Sequence, residues 1–187
     1  MALMTLVSAR GDIAKDRFHE AREAFVERKK LKSPLSDIDL KTAIEIQDLL
    51  MLDVAAEFGS TAGYFQALTP GGRPLLGVLL ENMFTSTGAT VVASNSADLQ
   101  LAPAWVLRLG SINSTTVSQA SEVDDLASIT SELIPAVLIR DDLMGEPNSE
   151  AITSQTAVNL GIRYVVMGHP ISLSGHGGLQ AVSGTLN

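Results

Sequence analysis

The spacing of apolar residues predicts two amphipathic helices in the first third of the chain. Over residues 13–30, apolar side chains recur at helical spacing with charged residues between them. Pro34 then interrupts the helical pattern. A second helix is predicted to begin near Ser36 or Asp39, since both are favourable N-caps, and to end at Gly59.

Two features depart from this simple helical pattern. The apolar face of the second predicted helix contains one polar residue, Gln47. The first residues, Met1–Val7, are apolar but carry no basic leader and are far shorter than a membrane span of about 20 residues. We therefore expect Met1–Val7 to form a short strand or a docking arm.

Beyond Gly59 the chain changes to short apolar runs separated by Gly, Pro, Ser and Asn, which is typical of strands and turns. The predicted strands are residues 62–68, 89–93, 105–109, 134–139 and 164–167, and further helices are predicted at 122–132 and 151–160. The tail from 172 to 187 is interpreted as a loop or a weak closing strand. This order predicts an α+β chain with a helical segment at 1–60 and a β-rich domain at 61–187.

Composition narrows the functional classes. The chain has 187 residues and 45% hydrophobic content, which suits one domain with a well-filled core. The formal net charge of -8 argues against a nucleic-acid-binding surface, because phosphate binding needs a basic face. Cysteine is absent from the sequence, so neither a disulfide framework nor a thiolate metal site is expected. We expect a cytoplasmic protein that does not associate with membranes.

Three short phrases, in order along the chain, carry a family resemblance. They are Ala43-Ile44-Glu45-Ile46-Gln47-Asp48, Pro74-Leu75-Leu76-Gly77-Val78-Leu79-Leu80-Glu81-Asn82-Met83, and Asn159 followed by Val165-Val166-Met167-Gly168. Together they resemble the 2-hydroxypentadienoate hydratase and 4-oxalocrotonate decarboxylase group, which has a fumarylacetoacetate hydrolase-like fold. The resemblance implies N-terminal helices packed on a mixed β-roll or barrel, shortened here at its C-terminus.

The resemblance also implies a metal site whose ligands this chain lacks. In that group a Glu-x-Glu pair and a later Glu hold a divalent cation, which requires oxygen ligands. The pair would fall within residues 101–110, where the chain has no carboxylate, and Leu138 stands where the third glutamate is expected. The lysine usual after Gly63-Tyr64 is replaced by Phe65. We therefore predict that the protein uses no metal and no other cofactor, with Leu138 contributing to substrate binding.

Polar and aromatic residues near these positions are candidates for the site. Tyr64 can donate a hydrogen bond to a carbonyl oxygen, or be an ordinary half-buried strand tyrosine. Gln66 is a candidate for substrate binding beside it. Arg108 is interpreted either as an anchor for an anion or as a surface charge. Trp105 either walls an apolar pocket or fills space left by the absent carboxylates.

Further candidates lie later in the chain. Arg140 and Asp141, followed by Asp142, end the strand that carries Leu138, and a strand end beside a pocket suits acid–base chemistry. A surface Arg–Asp pair explains them as well. His169 is predicted to be a general base or a simple loop histidine. Asn159 is the one polar position retained from the family site, so it is predicted to contact substrate.

Two functions of different classes follow. The first is a metal-independent lyase, isomerase or cyclase that acts on an unsaturated carbonyl or 2-oxo acid-like small molecule. The second is a non-catalytic relative that binds a partner subunit. We expect a homo-oligomer or an assembly with a homologous chain. Signatures of hydrolase triads, phosphate-binding loops and dinucleotide binding do not occur in the sequence.

Overall fold

A computed structural model describes residues 2–69, 72–93, 96–110, 129–144 and 151–172, with the side chains of 2–13 and 151 left aside. Within these ranges lie three α-helices and seven strands. The helices are α1 (Ala2–Glu27), α2 (Leu40–Phe58) and α3 (Ala151–Ala157). The strands are β1 (Thr61–Leu68), β2 (Pro74–Leu80), β3 (Phe84–Ser86), β4 (Leu99–Leu109), β5 (Thr130–Asp141), β6 (Ile162–Met167) and β7 (Ile171–Ser172).

The two N-terminal helices confirm the helical pattern and correct one detail. Helix α2 begins after Asp39, whose side chain accepts a hydrogen bond from the backbone N–H of Thr42, and it ends at Gly59. Helix α1 starts at Ala2, so the prediction of a strand or arm at Met1–Val7 is wrong for Ala2–Val7. Because that stretch is rich in Ala, Leu and Met and contains no proline, it continues the helix instead.

Strands β1 and β2 form an antiparallel hairpin that is separate from the main sheet. In its register Tyr64 lies opposite Val78, and Gln66 lies opposite Leu76. The sequence pattern predicted β1 but not β2. The even-numbered side chains of β1 face solvent, and the following strand β2 is buried at four consecutive positions near its end. A continuous apolar run of this kind has no two-residue periodicity, which is why it was not assigned as a strand.

The second sheet has the strand order β3-β6-β5-β4, with β7 pairing antiparallel to β5. The predicted strands at 105–109, 134–139 and 164–167 are confirmed and are longer than expected. No strand forms at 89–93; the short strand β3 lies just before it. Residues 130–132, predicted as helix, belong to β5, and the rest of that predicted helix lies outside the described residues apart from residue 129.

Strand β4 is an edge strand among the described strands, and two backbone hydrogen bonds show how it faces β5. Gly110 donates to Ile129 O at one end, and Asp98 O accepts from Asp142 N at the other. Even-numbered residues of β4 therefore direct their N–H and C=O groups toward β5. Pro103 is odd-numbered, so its missing N–H falls on the open edge, where proline is tolerated in a strand.

The described residues fall into two compact units. The first lies within 1–84, 90–101 and 139–164, and the second within 85–89, 102–138 and 165–187. The core of the first unit is formed by α1, α2, the end of β2 and the residues after β5, and its fully buried side chains include Phe25, Leu50, Leu80 and Leu143. The predicted boundary near residue 60 coincides with the end of α2 and remains a prediction as a domain boundary.

The architecture is α+β, with N-terminal helices and a mixed sheet, as the sequence predicted. The β-roll or barrel and the shortening at the C-terminus remain predictions. Among the described helices, none combines the length and the apolar composition needed to cross a bilayer.

Candidate functional site

A pocket opens in the first unit where β5 ends. Its cavity volume is about 200 Å³, which is below the roughly 300–1,000 Å³ of drug-sized ligand sites. We call it the Arg140 pocket. Its lining residues are Gln100, Arg140, Asp141, Asp142, Leu143, Met144, Gln155, Val158, Leu160 and Gly161.

Arg140 is the cation of this pocket. Its Nε and Nη2 donate to the side-chain oxygen Oε1 of Gln100, at 3.0 and 2.7 Å. Within the part of the chain that the structure describes, its guanidinium makes no ion pair, and Nη1 donates no hydrogen bond. A guanidinium offers two paired donor faces, and Gln100 occupies only one of them. Among the described residues, no side chain occupies the Nη1–Nη2 face, which has the geometry to bind a carboxylate.

Asp142 places an acidic group on the same pocket. Its Oδ1 accepts the backbone N–H of Met144 at 3.0 Å, which orients the carboxylate at the end of β5. Its Oδ2 lies 3.4 Å from Nε2 of Gln100, a long and weak contact. Gln100 thus stands between the cation and the acid, and the second oxygen of Asp142 keeps capacity to accept a proton.

Asp141, the next residue toward the strand, is engaged differently. Its Oδ2 accepts Nε of Arg163 at 2.8 Å, and its Oδ1 accepts the hydroxyl of Ser96. The side chains of Asp141 and Arg163 are 0% and 4% exposed, and Arg163 stacks 4.1 Å above the ring of Phe25. Because both of its oxygens are occupied, Asp141 is better suited to hold Arg163 than to transfer protons.

Arg163 is a buried cation that the sequence analysis did not identify. Burial lowers its pKa from the ordinary value, while the hydrogen bond and charge of Asp141 act in the opposite direction. Its Nη2 is buried and has no hydrogen-bond partner among the described residues. The buried charge of Arg163 therefore depends on Asp141, since a buried charge without its partner destabilises the folded state.

A left-handed turn forms part of the pocket wall beside the end of β5. Asn159, Leu160 and Gly161 have φ angles of 51°, 55° and 66°. For L-residues this conformation costs about 1–2 kcal/mol each, and a bulky residue such as Leu160 rarely adopts it. At Gly161 an added Cβ would lie 2.0 Å from the carbonyl oxygen of Asp141, so only glycine fits. The turn and the end of β5 therefore lie in direct backbone contact.

The side chain of Asn159 anchors this turn to β2. Its Oδ1 accepts the backbone N–H of Val78 at 2.7 Å, and its Nδ2 donates to Val78 O at 2.9 Å. Nε2 of Gln47 donates to Asn159 Oδ1 and to Leu76 O, each at 2.9 Å. Asn159 is fully buried, and both ends of its amide are engaged. Its amide therefore stabilises the fold around the pocket, whereas the sequence predicted a direct contact with substrate.

Gly77 permits this close packing. A Cβ added there would lie 2.5 Å from Cδ1 of Ile162 and 3.3 Å from Cδ1 of Leu160. Without a side chain at Gly77, the turn and the start of β6 can pack directly on β2. This explains why a glycine stands inside the buried part of strand β2.

Two predicted site residues of the first unit lie away from this polar arrangement. Tyr64 is 70% exposed on the hairpin, and Gln66 is exposed on the same face. Neither lines the Arg140 pocket. Their predicted roles in substrate binding and catalysis remain predictions.

The other predicted residues belong to the second unit. Trp105 is 48% exposed on β4, and Arg108 forms an ion pair with Glu132; the predicted roles of both remain predictions. Leu138 is 2% exposed within β5. His169 is exposed just after β6. The structure brings none of these four into hydrogen-bond contact with another of them among the described residues.

The positions at which the sequence resemblance places metal ligands carry other residue types, and the absence of a metal remains a prediction. Strand β4 carries no carboxylate along its length, and the buried side chain at 138 is leucine. Over the described ranges, no group of three His, Cys, Asp or Glu residues could hold a metal ion.

Sequence reasoning missed the two glutamines of the pocket. Gln100 connects Arg140 with Asp142, and Gln155 lines the cavity from α3. A lone glutamine carries no recognisable motif, so composition and spacing offered no signal for either. Gln47 did carry a signal, because it interrupts an apolar helix face.

Comparison with solved structures identifies the fold. The chain is similar to 4-oxalocrotonate decarboxylase from Pseudomonas putida G7 complexed with calcium and acetate, at a TM-score of 0.69 and 16% identity. It is also similar to that enzyme complexed with magnesium and adipate, at a TM-score of 0.70 and 13% identity. Each match covers 88% of this chain and 65% of the other, so the chain spans less than two thirds of their length.

No protein-family model and no curated protein sequence matches the chain. At such low identity, the structural matches show the fold alone. They support the fold that the three sequence phrases implied, with its N-terminal helices and mixed sheet.

Proposed function

We propose that this protein is a metal-independent enzyme that isomerises an unsaturated 2-oxo acid-like small molecule bound in the Arg140 pocket. The observation that carries the proposal is the guanidinium of Arg140, which lies in the pocket wall with one donor face occupied by Gln100 and the other unoccupied by any described side chain. A planar fork of donors matches a carboxylate in geometry and charge. The broader class, a lyase, isomerase or cyclase, rests on the same anchor.

Three side chains can divide the chemistry. Arg140 holds the substrate carboxylate, and the amide of Gln155 donates a hydrogen bond to the neighbouring carbonyl oxygen. Asp142 removes a proton from the carbon beside that carbonyl, and the electron pair moves onto the carbonyl oxygen. Asp142 then returns the proton to the far end of the conjugated system, and the carbonyl re-forms. Substrate and product are isomers, so no co-reactant is needed.

The proposed loss of metal chemistry rests on the residue types at the family positions. Leu138 replaces the third expected glutamate, and β4 has apolar or neutral side chains where the Glu-x-Glu pair is expected. In this proposal the charge of Arg140 and the hydrogen bond of Gln155 stabilise the enolate in place of a cation. These steps do not require Tyr64, Asp141 or His169, whose catalytic roles remain predictions.

The test follows the absorbance of 2-hydroxypenta-2,4-dienoate and related 2-oxo acids with the purified protein, with a chelator and with added magnesium or manganese. We expect conversion that the chelator leaves unchanged. Arg140→Gln should lower the affinity for the acid by about 10- to 100-fold, since a charged hydrogen bond contributes roughly 1.5–3 kcal/mol. Arg22→Gln, which removes an exposed arginine of α1 that pairs with Asp53, is the matched control. Loss of conversion on chelation would contradict metal independence.

A second candidate is a non-catalytic subunit that binds a partner protein. The observation that favours it is the exposed apolar face of β4, on which Trp105, Leu107 and Leu109 are 48%, 38% and 45% exposed. Contiguous exposed apolar surface commonly marks interaction sites. Measuring native mass by light scattering separates the two candidates. Stable homo-oligomers with conversion of a 2-oxo acid support the enzyme, and aggregation relieved by a co-expressed partner supports the subunit.

A further inference from the structure

The left-handed turn of the Arg140 pocket has two sides with different partners. Leu160 and Gly161 line the pocket, as does Val158 just before them. Asn159, between them in sequence, turns its side chain away into the core and bonds to β2 and α2. A single turn thus connects the buried amide cluster with the pocket wall.

The side-chain amide of Asn159 makes the same pair of hydrogen bonds to β2 that the backbone of a neighbouring strand would make. It accepts the N–H and donates to the C=O of the same residue, Val78, as the backbone of a paired strand would. Nε2 of Gln47, on α2, donates a second hydrogen bond to Asn159 Oδ1. The same nitrogen also donates to Leu76 O. These bonds hold Asn159 in place, and asparagine tolerates the left-handed conformation better than most residues.

Leucine at position 160, unlike asparagine at 159, is poorly suited to the left-handed backbone conformation. Its φ of 55° is unfavourable for a bulky side chain, and the residue is held between Asn159 and Gly161, which are both fixed by close contacts. Release of Asn159 would let Leu160 return toward a right-handed conformation. Because Gly161 abuts the carbonyl of Asp141, that change would disturb the strand end that carries Arg140 and Asp142.

We infer that Asn159 and Gln47 are positioning residues of the Arg140 pocket. They hold the turn in its left-handed form and thereby set the distance between the turn and the end of β5. This assignment rests on the proposed function in so far as the Arg140 pocket is the substrate site. The inference also gives a role to Gln47, whose place on α2 and whose burial do not by themselves explain a polar side chain.

The experiment compares Asn159→Ala and the milder Gln47→Met with Leu50→Ala. Leu50 is fully buried on α2 close to Gln47, so its truncation destabilises the same core without removing a polar contact. Amide hydrogen exchange is measured well below the unfolding temperature on peptides covering 139–144 and 158–163. Both amide variants should accelerate exchange there by about 5- to 10-fold more than Leu50→Ala, the factor expected for a lost hydrogen bond.

Equal exchange in Leu50→Ala and in both amide variants would overturn the inference, because the cluster would then act only through global stability. Should Asn159→Ala fail to fold, Gln47→Met decides the question alone. Binding of a 2-oxo acid supplies a separate readout. If the wild-type protein binds none, the proposed function fails while exchange still decides the positioning role. If it does bind, weaker affinity in Gln47→Met with unchanged affinity in Leu50→Ala supports positioning, and equal affinities overturn it.

Discussion

Two buried polar clusters flank the left-handed turn, and they are built on opposite principles. The first consists of neutral amides, Gln47 and Asn159, which hydrogen-bond to each other and to the backbone of Val78 and Leu76. The second is ionic, formed by Asp141 and Arg163, and it leaves Arg163 Nη2 without a partner among the described residues. A neutral cluster can define a conformation at moderate cost, whereas a buried ion pair makes each partner indispensable to the other.

The largest expected effect comes from breaking the ionic cluster. Asp141→Ala should lower the free energy of unfolding by about 3–5 kcal/mol, because it leaves the Arg163 cation buried and uncompensated. Urea denaturation followed by circular dichroism measures the change. Glu132→Ala, which removes the partner of the exposed Arg108, is the control and should cost less than about 1 kcal/mol. Similar losses in the two variants would refute the contrast between buried and exposed pairs.

Substitution at the centre of the neutral cluster should lower the free energy of unfolding by less than Asp141→Ala does. Asn159→Ala removes the amide and leaves the N–H and C=O of Val78 buried without partners, so we expect a loss of about 2–3 kcal/mol. Alanine is also poorly suited to the left-handed conformation at this position. Thermal unfolding by calorimetry gives the comparison. A loss as large as that of Asp141→Ala would show that the neutral cluster is as indispensable as the ionic one.

Substitution of Gln47, at the edge of the neutral cluster, should lower the free energy of unfolding by a still smaller amount. Gln47→Met keeps the volume and the apolar face of α2 but removes two hydrogen bonds, for an expected loss of about 1–2 kcal/mol. A double-mutant cycle with Asn159→Ala should give a coupling energy of about 1 kcal/mol. Strict additivity of the two substitutions would mean that the two amides do not act together.

The smallest effect on stability is expected at the pocket itself. Arg140 is only partly buried and makes its hydrogen bonds to one neutral partner, so Arg140→Gln should change the free energy of unfolding by no more than about 0.5 kcal/mol. The same variant should lose carboxylate binding, measured by calorimetric titration of a 2-oxo acid. A large loss of stability would place Arg140 with the structural residues instead.

Features encoded by neighbouring residues were predictable from the sequence. The N-cap Asp39, the helix end at Gly59 and the strand before Arg140 follow from local chemistry and periodicity. Contacts between distant residues were not. Gln47 and Asn159 are separated by 112 positions, and nothing in the run Asn159-Leu160-Gly161 announces a left-handed conformation for a leucine.

The candidate site was predictable in part for the same reason. Arg140 and Asp141 were identified by their place at a strand end, but their separate roles depend on partners in other elements. Gln100 comes from β4, and Arg163 from β6. A sequence pattern shows neither which carboxylate is paired nor which arginine is buried, because both depend on how the strands are assembled.

Pro103 has a consequence for the behaviour of this protein at high concentration. An incoming strand that tried to extend the sheet at β4 would meet no hydrogen-bond donor at that position of the edge. The ladder of backbone hydrogen bonds would be interrupted near its middle. Trp105 and Leu107, close to this position, would otherwise favour repeated strand-on-strand association. Proline at this position is therefore expected to disfavour edge-to-edge association through β4.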